Sequence, residues 1–321
     1  MKTFRTFAAL LASVVMVAGV VQAQEKTNVS NGDIAVRGLK LSDFPRWKKL
    51  APDIYEFEGT HAPDQNGQII NTVSMIVVTS DGVLVADGQG DQTQGQALVD
   101  YIKKLTPQPV KYMVIASDHG DHTGDNAAFK AAFPNIVFIS SPASQKVLEK
   151  NANPPTETVA DKRAIKMGNT TIQVMNIGRA HTGGDLVVYL PQTKILFMSE
   201  VYLRGVFPAM RSAYPSEWVE TIKKAQAMDV SLYIPAHGFV DDPATMKKDL
   251  EESRKALVAV IAEAKRLHDA GIPCVAGGRG AGPCEAAQKA NWGPYAGWAL
   301  ASSQGQVAIQ RVYMELDGKL P

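Results

Sequence analysis

The sequence predicts an α/β protein of the α+β kind: two β-sheets packed face to face, helices outside, and a helical extension at the C-terminus. Three observations predict it. Strand-like runs occur in both halves of the chain, and each half closes with helical spacing, as expected when two sheets bury their apolar faces against each other. Hydrophobic residues make up 45% of the 321 positions and charged residues 20%, a globular composition with ample core material. No internal repeat of a few tens of residues marks a solenoid.

Residues 1–23 read as a secretory signal peptide. Lys2 and Arg5 make a positive start, Phe7 to Val21 is uncharged and apolar, and Val21-Gln22-Ala23 offers a small-residue cleavage site before Gln24. The apolar run has 15 residues, short of the roughly 20 that span a bilayer, and no later segment is long and apolar enough to do so. Cleavage leaves 298 residues and moves the net charge from +1 to −1. The product is secreted, or periplasmic if the source is a Gram-negative bacterium. Residues 24–45 are polar, without periodicity, and read as a linker.

The main domain is expected over residues 46–250. Asp53 to Phe57 alternates as a strand, a Gly- and Asn-bearing loop follows from Gly59 to Gly67, and Val73 to Thr79 is β-rich. The turn Ser80-Asp81-Gly82 leads to Val83-Leu84-Val85, so these strands form an antiparallel meander. Gln92 to Leu105 has helical spacing and ends before Pro107. Val110 to Ala116 is a buried strand, Asn126 to Phe133 a helix, Ile136 to Ser140 a strand and Ser144 to Lys150 a helix. The second half repeats the scheme: strands at Thr171 to Asn176, Leu186 to Leu190 and Ile195 to Met198, a helix at Glu217 to Met228, and a strand at Leu232 to Ile234. Asp242 is placed to cap a helix with Pro243 at its first position, running through Leu267.

The extension, residues 251–321, finishes that helix and adds a last one from about Pro294 to Leu316. Its Trp292, Tyr295, Trp298, Gln304, Arg311 and Tyr313 recur at helical spacing. Packing against the domain is the ordinary reading; a pocket wall and a dimer interface are the alternatives. Nine residues separate Cys274 and Cys284 in a Gly-rich loop. In an oxidising compartment they pair, and closing the loop contributes about 2–3 kcal/mol on the chain-entropy account. Two free thiols or one metal-binding thiol are the other readings.

Charge excludes one class of partner. Lys and Arg total 33 against 32 Asp and Glu, so no basic excess points to nucleic acid. Histidine is more informative. There are six: His61, His119, His122, His181, His237 and His268. Two lie in Ser117-Asp118-His119-Gly120-Asp121-His122-Thr123-Gly124-Asp125, directly after an apolar strand. A third follows a strand in Gly178-Arg179-Ala180-His181-Thr182-Gly183-Gly184-Asp185, and a fourth in Ile234-Pro235-Ala236-His237-Gly238. A strand end holds the backbone still and a Gly-bearing loop lets side chains converge. His119, Asp121 and His122 supply nitrogen and oxygen donors suited to zinc. His61 is open to three readings: a surface residue, a replacement ligand or a substrate contact. His268 reads as a solvated cation at a helix C-terminus.

These motifs resemble the metallo-β-lactamase-fold hydrolases over about residues 50 to 245. The family pattern is His-x-His-x-Asp-His after one strand, then a His in a His-Thr-x-Gly-Asp context, an acidic bridging residue after a strand, and a His in a Pro-x-His-Gly context. The resemblance implies a four-layer αββα sandwich with a metal site at one edge between the sheets. It makes Asp87, in Val85-Ala86-Asp87-Gly88, the structural strand-end Asp. It implies two zinc sets, one of the first pattern His with His119 and His181, the other of Asp121, His122 and His237. Two positions depart from the pattern: Ser117 stands for the first His, and Glu200, in Phe197-Met198-Ser199-Glu200-Val201, for the usual bridging Asp.

A hydroxyl is a poor zinc ligand beside imidazole, so one tight zinc is expected on Asp121, His122 and His237. A second is expected to be weak or absent on His119, His181 and Glu200. Ser117→His is expected to restore it. The resemblance implies a secreted zinc hydrolase of a small molecule carrying a carbonyl or ester-like bond, such as a β-lactam, lactone or thioester, with Asp121 as the catalytic residue. The alternative is a non-catalytic zinc- or partner-binding module of the same fold. Ser117 and Glu200 favour it; the retained Asp121 opposes it.

Overall fold

The computed structural model describes residues 34–61, 69–275 and 282–321. The expected signal peptide and the start of the linker lie outside the described residues. The first half forms β1 (Arg46–Ala51), β2 (Ile54–Thr60), β3 (Asn71–Thr79), β4 (Gly82–Ala86), α1 (Gln92–Leu105), β5 (Val110–Val114), α2 (Gly120–Thr123), α3 (Asn126–Ala132), β6 (Val137–Ser140), α4 (Pro142–Leu148) and β7 (Glu157–Thr158). The second forms β8 (Lys162–Met167), β9 (Thr170–Met175), β10 (Val187–Leu190), β11 (Ile195–Leu203), α5 (Pro215–Gln226), β12 (Leu232–His237) and α6 (Pro243–Asp269). The extension adds α7 (Glu285–Lys289) and α8 (Ala301–Leu316).

The first sheet has the order β1-β2-β3-β4-β5-β6-β7 and the second β12-β11-β10-β9-β8. The meander β2 to β4 is antiparallel, as expected, β1 joins it antiparallel to β2, and β4, β5, β6 and β7 run parallel. Strand β4 shows how the layers form. Leu84 and Ala86 join the core between the sheets, while Val83 and Val85 pack under α1 with Leu98, Val99 and Ile102. A strand covered on both faces reads as an unbroken apolar run. Helices α5, α6 and α8 cover the second sheet through Trp218, Ile222, Leu250, Leu257, Ile309 and Val312. The result is the four-layer sandwich.

Caps follow the expected chemistry. The Asp91 side chain accepts from the Thr93 and Gln94 N–H groups at the start of α1, and Asp242 does the same for α6, with Pro243 in its first turn. The last helix differs from expectation. It starts at Ala301, because Leu300 takes a left-handed conformation (φ 66°) and the preceding Gly293–Gly297 is a separate 3-10 turn. Strands β1 and β8 lie beyond the expected set, since their charged residues mask the alternation. The described part of the linker is seated on the domain: Ile34 is buried against Ile69 and Phe239, and Arg37 pairs with Asp241 at 2.9 Å. Cys274 and Cys284 form a disulfide.

Candidate metal centre

The centre lies where four strand ends meet. Asp87, wholly buried after β4 in a left-handed conformation (φ 56°), fixes two of them. Its Oδ1 accepts from the Ala116 N–H at 2.7 Å, just beyond β5, and its Oδ2 accepts from Ser199 Oγ at 2.5 Å, inside β11. The same Oδ2 lies 3.1 Å from His122 Nδ1. The expected structural role of Asp87 is thus visible in its contacts. The segment after β5 runs as a loop through His119 and then closes into the single helical turn α2, which presents Asp121 and His122. Gly124 ends it, and a Cβ there would meet the Gly90 carbonyl oxygen at 2.2 Å, so only glycine lets these two backbones touch.

His181 is placed by its own turn. The Thr182 N–H and hydroxyl donate to Asp185 at 2.7 and 2.6 Å, and the His181 ring meets Trp218 edge-on at 5.2 Å. His237 ends β12. Its Nδ1 is 2.7 Å from the Asn71 carbonyl, an acceptor only, so Nδ1 carries a proton and Nε2 is the nitrogen turned to the centre. Asn71 in turn takes the Gly238 N–H on its Oδ1 at 2.7 Å.

The structure brings together all six sequence-predicted ligands: His119, Asp121, His122, His181 and His237 surround the sixth, buried Glu200. Glu200 Oε2 is 2.9 Å from His119 Nδ1, 2.8 Å from His181 Nδ1 and 2.5 Å from Ser117 Oγ, which donates to it. Glu200 Oε1 is 3.5 Å from His237 Nε2 and 3.7 Å from His122 Nε2. Asp121 Oδ2 lies 3.2 Å from His237 Nε2 and 3.6 Å from His122 Nε2. Two groups therefore bring one donor atom per residue within 4.8 Å of each other: Asp121, His122, Glu200 and His237, and His119, His181 and Glu200.

The donor chemistry fits a cation. Both ring nitrogens of buried His122, and Nδ1 of His181, lack a partner in hydrogen-bond geometry despite the nearby carboxylates. Orphaned polar atoms of this kind are costly in a protein interior unless something binds them. Burial works to raise the Glu200 carboxyl, but His181 and contacts from His119 and His122 outweigh it and hold it well below the usual range. Burial opposes protonation of His237, yet Asp121 and Glu200 push it up to about 9. The carboxylates thus call for positive charge at the point where the imidazole nitrogens meet.

His61 is not a surface residue. It is half-buried, its Nε2 is 2.5 Å from Thr72 Oγ1 and 4.0 Å from Asp121 Oδ2, and burial followed by the neighbouring His237 lowers it to about 4. It stands beside Asp121 as a neutral ring. His268 is at the end of α6 as expected, and its Nε2 is 3.0 Å from Asp317 Oδ1. A cavity of about 370 Å³ opens over the centre. Its floor includes His119, Asp121, His181, Glu200 and His237, and its far wall includes Leu203, Val206, Arg211, Leu300 and Gln304. Of the tail residues, Gln304 reaches the wall; Trp292 packs on Phe207, and Trp298 on Tyr295. Sequence reasoning missed Asn71, Thr72, Arg211 and Leu300, none of which carries a local motif.

Known proteins share this architecture. Residues 69–237 match the Metallo-beta-lactamase superfamily. The chain is 24% identical over 193 residues to "Metallo-beta-lactamase type 2" of Bacillus sp. (strain 170), covering 58% of this chain and 74% of that protein. It is 26% identical over 177 residues to "Metallo-beta-lactamase IND-1" of Chryseobacterium indologenes, covering 53% and 73%. Among solved structures, a metallo-beta-lactamase from Pontibacter korlensis superposes with a TM-score of 0.59 at 22% identity, over 65% of this chain and 98% of that one. The match spans more than half of the chain and both groups of donors, and the chain belongs to the metallo-beta-lactamase superfamily.

Proposed function

We propose that this chain is an exported zinc-dependent hydrolase that opens a carbonyl or ester-like bond in a small molecule, such as a β-lactam, lactone or thioester. One observation carries the reading: four histidines, Asp121 and Glu200 converge at the floor of an open cavity. Bound zinc would polarise the scissile carbonyl and bring a water pKa toward neutrality.

The chain's own residues do the rest. Asp121, His122 and His237 would hold the tighter ion, with the Glu200 carboxylate close to all three. His119, His181 and Glu200 Oε2 offer a second, weaker set. Asp121 also orients the attacking water, and it stays ionised because His122 and His237 outweigh the effect of burial and hold its carboxyl far below the usual range. Asn71 and Asp87 keep the His237 and His122 rings turned toward the centre. Leu203, Val206 and Leu300 shield the floor from bulk water. The leader at residues 1–23 and the disulfide support export to an oxidising compartment, and no described helix is long and apolar enough to cross a membrane.

The test is a panel of lactam, lactone and thioester substrates assayed with the purified protein, with a chelator, and after zinc is returned. Turnover of at least one class, lost with chelator and recovered with zinc, is expected. No turnover across the panel by zinc-loaded protein would favour a non-catalytic binding module of the same fold.

A further inference from the structure

Strand β11 does not run evenly beside β12. From Ser199 to Leu203 it takes four steps, while β12 takes two from Pro235 to His237. A bulge of this kind re-aims a side chain, and Glu200 lies inside it. Ser199 holds a left-handed conformation (φ 48°) without being glycine, which persists only where the surroundings impose it. Asp87 fixes the near end of the bulge by accepting from Ser199 Oγ. Arg204 closes the far end: its N–H donates to the His237 carbonyl at 3.0 Å.

Arg204 is 1% exposed, and its guanidinium ties several segments together. Nε and Nη2 donate to Asp249 Oδ2 on α6 at 2.9 and 2.6 Å. Nη1 donates to the Phe239 carbonyl, two residues beyond His237, and lies 2.7 Å from Asp241 Oδ2. Asp241 in turn accepts from Arg37 Nη1 and Nη2 at 3.0 and 2.9 Å. Two residues therefore hold the turn after His237: Asn71 accepts the Gly238 N–H, and Arg204 donates to the Phe239 carbonyl. Gly238 between them is at φ 110°, and a glycine is free to leave such a conformation unless its neighbours are held. Buried ion pairs contribute little net stability, because desolvation offsets their attraction, and their best-attested use is to fix register.

We propose that Arg204 is a positioning residue for the tighter metal set, and that Asp241 and Arg37 extend its brace to the N-terminal segment. Arg204 is not itself a donor. It fixes the His237 turn and the end of the Glu200 bulge relative to each other, so that both donors reach one ion. Arg37 lies outside the family match of residues 69–237. The segment that carries it, expected from sequence to be a linker, is thus part of the scaffold of the centre. Groups that orient metal ligands typically change metal affinity by roughly 10- to 100-fold when mutated. The role rests on the zinc-binding part of the proposed function, not on the reaction.

Zinc affinity of the full chain, measured by competition with a coloured chelator, and the visible spectrum of the cobalt(II)-loaded chain test the role. Arg204→Gln should weaken the tighter ion by about tenfold or more and change the cobalt bands, which report donor geometry. Arg204→Lys keeps the charge but not the fork and should recover part of the affinity. Arg204→Gln leaves buried Asp249 without its arginine, so Asp241→Asn and Arg37→Ala probe the brace from its more exposed end. Both should be folded by circular dichroism, with zinc weakened about tenfold in Asp241→Asn and less in Arg37→Ala. These two decide the matter where Arg204→Gln does not fold. Arg163→Ala, which removes an ion pair with Glu157 away from the centre, should change neither readout. Wild-type affinity and cobalt bands in folded Arg204→Gln, or in both Asp241→Asn and Arg37→Ala, overturn the proposal. So does an equal loss in Arg163→Ala, because the effect would then follow general destabilisation. Wild type that binds neither zinc nor cobalt is a distinct failure, of the metal reading itself, and overturns the role with it.

Discussion

Glu200 and Glu58 are both glutamates inside strands, 3% and 1% exposed, yet their surroundings drive them apart. Burial alone works to raise both carboxyls. Around Glu200, three histidines and the Ser117 hydroxyl converge and hold it ionised. Around Glu58, burial prevails over Arg46 and Lys48 and lifts it to about 7, and Glu56, two residues along the same face of β2, is also raised well above the usual range, by burial and by Glu58 itself. The first arrangement keeps an anion ready for a cation. The second favours the neutral form of two neighbouring acids, with Arg46 and Lys48 directly opposite on β1. A buried acid becomes a ligand or a proton store according to the donors aimed at it, not according to its depth.

The largest expected effect breaks the first arrangement. Asp121→Asn keeps the shape but removes the charge proposed to orient water, and kcat should fall by a factor of about 100 or more. His237→Ala should do as much through metal loss. Circular dichroism should show both variants folded, since both residues line the open cavity and belong to no apolar cluster. An Asp121→Asn variant as fast as wild type would contradict the role given to Asp121.

The Ser117 position sharpens the comparison. From sequence, Ser117→His should restore a second zinc. The structure changes that expectation: Ser117 is wholly buried and Glu200 Oε2 sits 2.5 Å from its hydroxyl, in the path of an added ring. Ser117→His alone should leave zinc content unchanged, whereas Ser117→His with Glu200→Asp should raise it toward two, as the shorter acid makes room. Metal analysis by mass spectrometry distinguishes these results; a single variant that gains a full equivalent would show that Glu200 does not fill the gap.

The smallest effect concerns Glu58. Its folded pKa of about 7 exceeds the unfolded value of about 4.3. The native state therefore keeps its proton longer, and the contribution is full below the unfolded pKa and lost as pH rises to about 7. At about 1.36 kcal/mol per pKa unit this amounts to roughly 4 kcal/mol. Asp241, lowered by Arg37 and Arg204 against the effect of burial, acts oppositely and only below about pH 4. Urea unfolding at pH 4.5 and 7.5 should show wild type losing stability with rising pH and Glu58→Gln losing less. Equal slopes would contradict the assignment.

Much of the centre was legible because its histidines follow strand ends in Gly-bearing motifs, where spacing reflects geometry. Glu200 was legible as an acid but not as the hub, because all nine residues of β11 are buried and no alternation shows which way it points. Strand β1 was illegible for the opposite reason: Arg46 and Lys48 read as solvent-facing until Glu56 and Glu58 supply their partners across the sheet. Asn71 orients His237 from 166 positions away, and Arg311 clamps the Arg211 segment from 98. Contacts of that range leave no local pattern, so the floor of the cavity was foreseen and most of its wall was not.

The most direct test compares the two glutamates by counting zinc. Wild type, Glu200→Gln and Glu58→Gln are dialysed against a mild chelator and analysed for metal. Wild type and Glu58→Gln should each retain about one zinc per chain, and Glu200→Gln should retain much less, because an amide replaces the one carboxylate common to both groups. Full zinc in Glu200→Gln, or equal loss in both variants, would contradict the claim that Glu200 is the hub of a metal centre.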